Sequence, residues 1–334
     1  MTGKGKKSII SWRIANRPSL IINGKTEELM AMTDKRCGIV AIVGRTNTGK
    51  STLLNRILGK KVAIVSRVPQ TTRNIIRAVL TEKRGQIVFV DTPGLHQPRH
   101  RLGKYMNLLA EDSARGADLI LHLVDSSERV AEEEEMVAGF LAQSKSPVIL
   151  ALNKIDLGGK FIPEYLQLWE DKKGKSIKEL GDLFTVIPVS ALKGTNIDKL
   201  LDELFSRLPQ GPQLYPEDTL SDFPQKLAYA DIIREKLFEC MRQEVPHSIA
   251  VLVNEIIERS KGLTYIGAQI FVERDSQKAI VIGDKARMVK RVGVLARQEL
   301  EKLSGKKVYL ELDVKVKENW RRDEELLRQM GIII

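Results

Sequence analysis

Residues 44–52, GRTNTGKST, constrain this chain more than any other stretch. They satisfy G-x-x-x-x-G-K-[ST] through Gly44, Gly49, Lys50 and Ser51, and they lie between an apolar run at 39–43 and a helix-like run at 53–58. Strand, glycine loop and helix is the setting in which such a loop cradles phosphate. Glycines let successive backbone N–H groups turn toward phosphate oxygens, and the helix that follows adds the positive end of its dipole. In that arrangement Lys50 reaches the β- and γ-phosphates, and the Ser51 hydroxyl ligates Mg2+ with Thr52 beside it. The loop alone leaves the nucleotide base open.

Further apolar runs at 87–90, 119–124, 148–152 and 186–189 alternate with helical patterns at 102–114, 131–142 and 197–208. Continuous apolar strands separated by helices predict an α/β fold, a mostly parallel sheet covered by helices on both faces. Ligands bind such sheets beyond the carboxyl ends of the strands. Four motifs sit there or beside the loop. Asp91-Thr92-Pro93-Gly94 follows the 87–90 run, where Asp91 can hold Mg2+ through water and the Gly94 N–H can approach a γ-phosphate. Asn153-Lys154-Ile155-Asp156 follows the 148–152 run. Asp156 can accept hydrogen bonds from guanine N1–H and its exocyclic amine, a pair adenine does not offer, and a carboxylate left facing the wrong edge is costly. Ser190-Ala191-Leu192 follows the 186–189 run, where a backbone N–H can meet the guanine O6. Gln70-Thr71-Thr72-Arg73 lies in an irregular stretch, from which Thr72 can close over Mg2+ and γ-phosphate. In this order the motifs select GTP/GDP with Mg2+ as the ligand.

Residues 38–209 look like a translation-factor-related GTPase, and IVGRTNTGKSTLLN, SRVPQTTR, DTPGLH, NKID and SALKG resemble the Era GTPases in particular. The resemblance runs over nearly the whole chain beyond residue 36. It implies a GTP-hydrolysing switch that binds small-subunit (16S) ribosomal RNA and acts in assembly of the small ribosomal subunit. Leu95 stands where related GTPases carry a water-positioning glutamine, so slow intrinsic turnover is expected, resting on Lys50, Thr72 and Gly94 through positioning and electrostatics. His96 is read as a solvated loop histidine. The resemblance implies that Asn47 recruits K+ beside the phosphates; a loop-capping asparagine is the alternative. The segments 66–75 and 95–106 are the expected switches.

The chain has 334 residues, which predicts two domains. Residues 1–36 are basic and aperiodic and read as a mostly disordered extension, with Met30 and Met32 as further candidate starts; the GTPase domain is expected at 37–209. Prolines at 209, 212, 216 and 224 mark 210–225 as a linker, and 226–334 follows as a smaller α+β domain. A helix is predicted at 226–243, strands at 248–257, 268–273 and 279–282, a basic amphipathic region to 304, a strand at 307–316 and a last helix at 319–330. The net charge of +11 is concentrated at 285–307, the footprint of a polyanionic partner.

The tail resembles the KH domain of Era proteins through VERDSQKAIVIG and VKVKENWR, which implies RNA contacts from Gly283, Lys285, Arg287, Lys290 and Arg291. Its loop departs from GxxG, because Ala286 replaces the second glycine and Asp284 repels phosphate. Trp320, Tyr309 and Phe271 read as core residues, and 132–135 as a solvated helix face. Cys37 and Cys240 lack metal-ligand spacing. No apolar run is long enough to cross a bilayer. A cytoplasmic monomer is expected, with peripheral contact at the inner face of the plasma membrane also consistent with the basic helix. The alternatives are a membrane-surface or transfer-RNA-related GTPase of the same superfamily, and an RNA-binding module with little hydrolysis.

Overall fold

The structure is a computed structural model and describes residues 35–66, 72–95, 97, 101–241, 248–260 and 262–332. The expected extension up to residue 34, Gln70, Thr71 and His96 lie outside the described residues. Two compact units divide the chain, one holding most residues up to Asp222 and the other most from Phe223 onward.

The first unit contains, in chain order, β1 (Arg36–Val43), α1 (Lys50–Leu58), β2 (Ile76–Glu82), β3 (Gly85–Asp91), α2 (Arg101–Gly116), β4 (Leu119–Asp125), α3 (Glu132–Ala142), β5 (Val148–Asn153), α4 (Ile162–Lys173), β6 (Phe184–Pro188) and α5 (Ile197–Arg207). The sheet order is β2-β3-β1-β4-β5-β6, parallel throughout except for the antiparallel pair β2 and β3. Strand side chains alternate between faces. Ile39, Ala41 and Val43 share a core with Ala110 and Ala114 of α2, Val137 and Leu141 of α3, and Tyr165 and Trp169 of α4. The opposite face is closed by α1 and α5, where Leu53, Leu54, Leu200 and Leu204 are buried. Burial on both faces is why these strands read as continuous apolar runs.

Two elements escape the sequence pattern. β2 is an antiparallel edge strand beside β3, and α4 fills the gap between β5 and β6. The expected linker is also no free tether over its first part. Gln86, fully buried, accepts from the Leu214 and Tyr215 N–H groups at 2.8 and 2.9 Å and donates to the Tyr215 carbonyl at 2.9 Å. The Val79 N–H donates to the Leu220 carbonyl, so the segment straps the sheet edge that β2 would otherwise leave unpaired.

The second unit contains α6 (Gln225–Cys240), β7 (Ala250–Ser260), β8 (Leu263–Val272), α7 (Asp275–Ile282), α8 (Arg287–Ser304), β9 (Lys307–Val316) and α9 (Glu324–Gln329). Its sheet runs β7-β8-β9, antiparallel then parallel, and α6 and α8 pack over Val253, Ile266, Ile270 and Val308. The stretch 279–282, expected as a strand, belongs to α7. Its apolar Ala-Ile-Val-Ile looks β-like, but the Gln277 side chain accepts from the Glu273 and Arg274 N–H groups and caps a helix start. The expected last helix divides into a short 3₁₀ turn, Trp320–Arg322, and α9. Trp320 and Phe271 are buried as expected, but Tyr309 is 55% exposed and stacks on Tyr265. Glu134, expected on a solvated face, is fully buried.

Candidate functional site

At the carboxyl end of β1 the chain turns through Arg45–Gly49 into α1, and Lys50 starts that helix. The Lys50 ammonium is buried and donates to the Gly44 and Arg45 carbonyls at 3.0 and 2.6 Å. Burial lowers its pKa to about 8, a shift the nearby Asp91 and Glu134 carboxylates partly offset. Asn47 takes a left-handed conformation, φ 64°, within the turn. Thr52 follows on the first turn of α1.

Ser51 and Asp91 meet although 40 residues separate them, because β1 and β3 are neighbours and both end here. The Ser51 hydroxyl donates to Asp91 Oδ2 at 2.8 Å and lies 3.0 Å from Thr72 Oγ1. Asp91 Oδ1 is buried with no hydrogen-bond partner. Burial raises the Asp91 pKa to about 6 against the pull of Lys50 and Ser51. An all-oxygen cluster with one orphaned carboxylate oxygen is the donor set a hard cation such as Mg2+ prefers. After Asp91, Gly94 passes the phosphate loop so closely that a Cβ there would lie 2.8 Å from the Thr46 N and Cα. The Leu95 N–H donates to the Gly44 carbonyl at 3.2 Å, so loop and turn are joined. Leu95 itself is buried and offers no polar group where a glutamine would orient water.

The base-side motifs converge from β5 and β6. Asn153, buried at the end of β5, donates from Nδ2 to the Thr48 carbonyl at 2.7 Å and accepts the Ala191 N–H at 2.9 Å. It therefore ties the phosphate loop to the Ser190-Ala191 turn. Ser190 Oγ donates to Asp156 Oδ1, and the Ser190 N–H donates to the Thr195 carbonyl. The Ser190 and Ala191 N–H groups are engaged within the protein, and through these contacts the turn holds Asp156 and Asn153. Asp156 is exposed at the mouth of the site.

Residues outside the motifs also hold this site together. Lys154 pairs with Asp125, the last residue of β4. Burial raises the Asp125 pKa, but hydrogen bonds from Lys154 and Ser127 outweigh it and hold the carboxyl below its usual value. Arg56 of α1 donates to the Ala191 and Leu192 carbonyls and steadies the base-side turn. Arg45 pairs with Glu134 and Glu128. Asp125 had a signal, an acid ending an apolar strand beside other strand-end motifs; the arginines had none.

In the second unit, α7 and α8 flank the loop Gly283-Asp284-Lys285-Ala286. Lys285 and Ala286 both adopt positive φ, 47° and 61°. A Cβ on Gly283 would lie 2.8 Å from Met288 Cβ, so glycine is needed there. Lys285, Arg287, Lys290 and Arg291 are all exposed, and Asp284 lies 3.9 Å from the Arg287 guanidinium. The helix–loop–helix with its cations is a surface suited to a nucleic-acid backbone.

The family model described as 50S ribosome-binding GTPase matches residues 39–154, and that of the KH domain matches 244–321. The chain is 46% identical over 303 residues to GTPase Era of Thermotoga petrophila, covering 89% of this chain and 97% of that protein. The same figures hold for GTPase Era of Thermotoga maritima. Aquifex aeolicus Era Y63A bound to GDP.AlF4- superposes with TM-score 0.82 at 41% identity, covering 90% of this chain and all of that one. An Era in complex with MgGDPNP and nucleotides 1506–1542 of 16S ribosomal RNA matches with TM-score 0.82 at 40% identity and the same coverage.

Proposed function

The chain belongs to the Era family of GTPases, and we propose that it is a nucleotide-timed clasp on small-subunit (16S) ribosomal RNA that acts in assembly of the small ribosomal subunit. It is a GTPase with a KH domain. The observation that carries the reading is the pairing of a complete phosphate-and-guanine constellation in one unit with a cationic KH-type loop in the other.

In the nucleotide site, the Lys50 ammonium would bind the β- and γ-phosphates and the Gly94 N–H the γ-phosphate, while Asp156 would accept from guanine. Ser51, Thr72 and Asp91 would hold Mg2+, which would supply positive charge against the phosphates. Asn153, Ser190 and Ala191 keep the base pocket in register with the loop. Leu95 cannot orient water, so turnover depends on pre-set dipoles and charge, and intrinsic hydrolysis is slow. Asn47, a phosphate-loop residue, would ligate K+ through its side-chain carbonyl oxygen as added positive charge. Equal hydrolysis in Na+ and K+ at matched ionic strength would remove that role.

RNA binding rests on Gly283, Lys285, Arg287, Lys290 and Arg291. Support comes from the 40%-identical Era whose complex contains MgGDPNP and a 16S fragment. The site of action is then the cytoplasm. Among the described residues no helix is long and apolar enough to cross a membrane, and peripheral lipid contact through the basic α8 is tested by liposome sedimentation with RNA as competitor. The reading as a whole is tested by phosphate release with and without an RNA matching nucleotides 1506–1542, using Lys50→Ala as the blank. Release that persists in Lys50→Ala, or an RNA that does not bind, contradicts it.

A further inference from the structure

Arg45, the second residue of the phosphate loop, sends its side chain away from the phosphate cradle into the body of the first unit. Its Nε donates to Glu134 Oε1 at 2.7 Å across 89 residues of sequence, and its Nη2 donates to Glu128 on the exposed side. Glu134 is fully buried on α3, an unusual place for a carboxylate without a compensating charge. Behind it stands His122 of β4, also fully buried, with Nε2 3.7 Å from Glu134 Oε2. The Trp169 indole N–H donates to His122 Nδ1 at 3.2 Å, which assigns the ring proton to Nε2, facing the carboxylate. A single file of polar groups, Trp169, His122, Glu134 and Arg45, thus runs from the apolar core to the phosphate loop.

The backbone of Arg45 explains what this file is for. Its carbonyl accepts from the Lys50 ammonium at 2.6 Å and from the Thr48 hydroxyl at 3.3 Å. Arg45 also pairs with Leu95 in an isolated parallel bridge, the residue just after Gly94. Two groups assigned to the phosphates, the Lys50 ammonium directly and the Gly94 N–H through its neighbour Leu95, are therefore tied to this one residue. The β-phosphate cradle at the start of α1 lies beyond it and is set by the helix itself.

We propose that Arg45 and Glu134 are a positioning pair for GTP hydrolysis, in which the buried Glu134 grips the phosphate loop from the core and Glu128 closes the grip from outside. Neither residue touches the reacting atoms; the pair acts through the placement of Lys50 and Gly94. This rests on the chain's being a GTPase, and the unaltered protein in the same assay tests that separately. Small displacements of groups at a reacting centre cost large factors in rate, so release of the grip should slow the chemical step while leaving diphosphate binding nearly intact.

The test compares single-turnover hydrolysis at saturating GTP, GDP affinity and melting temperature. Removing one partner strands a buried charge and risks unfolding, whereas replacing both by apolar residues of similar volume is tolerated. The decisive variant is therefore the double Arg45→Met/Glu134→Met. It should melt near the parent and bind GDP within about threefold, yet hydrolyse GTP about tenfold more slowly. A merely structural pair would leave the rate per folded molecule unchanged, so a rate within about twofold of the parent in the folded double variant overturns the proposal. Should the double variant not fold, Glu128→Gln on the exposed limb decides: a rate about threefold lower supports the grip, and an unchanged rate overturns it.

Discussion

Replacing Ala286 by glycine should strengthen both the second unit and its hold on RNA. Ala286 sits at φ 61° and ψ 23°, the left-handed region, immediately before α8. An L-residue pays about 1–2 kcal/mol there, which glycine avoids. Glycine also gives the unfolded chain more freedom, a loss of about 0.4–1 kcal/mol. The balance is a gain of about 0.5–1 kcal/mol in stability, read as a small rise in melting temperature of the full chain. Strain relief alone favours free and RNA-bound protein equally. If the loop clamps the nucleic-acid backbone as proposed, removing the methyl gives about fivefold tighter binding, near 1 kcal/mol. Fluorescence anisotropy with a single-stranded RNA at fixed salt measures it, since salt alone shifts such affinities strongly. A lower melting temperature would refute the strain argument, and unchanged affinity would show that the loop is not a backbone clamp.

Gln86→Ala should cost about 3 kcal/mol in urea unfolding, because the strap's N–H groups and carbonyl lose their buried partner; a loss below about 1 kcal/mol would mean water replaces the side chain freely. Gly94→Ala should abolish hydrolysis more than GDP binding, since its methyl meets Thr46 backbone at 2.8 Å, and retained turnover would place the turn farther from the loop than found. Asp156→Asn presents a donor where guanine needs an acceptor and should shift preference from GTP toward xanthosine triphosphate by about 100-fold or more; unchanged GTP affinity would remove Asp156 from base recognition.

The parallel sheet was legible because each inner strand is apolar on both faces, and the glycine loop and strand-end motifs followed from that frame. β2 was not, since it is an edge strand covered by the 214–221 strap rather than by another strand, and its IRAVLTE alternates weakly. α4 had usable signals, Pro163 at its start and Gly174 in a left-handed cap at its end. α7 was misread because its apolar core is β-branched while its helical cap comes from Gln277, a side chain whose role no periodicity reveals. At the site, residues that touch the ligand lie in compact motifs, and residues that hold those motifs do not. Arg45 and Glu134 are far apart in sequence, and a glutamate within a run of acids reads as surface until α3 is docked. Gln86 and the strap are hidden for the same reason.

The central claim is that nucleotide state governs the grip on ribosomal RNA. The direct measurement is the affinity of the full chain for an RNA matching nucleotides 1506–1542 of 16S ribosomal RNA, with a non-hydrolysable GTP analogue and with GDP, at one salt concentration. Binding about tenfold or more tighter in the triphosphate state is expected, a coupling of about 1.4 kcal/mol. Equal affinity in the two states would contradict the account.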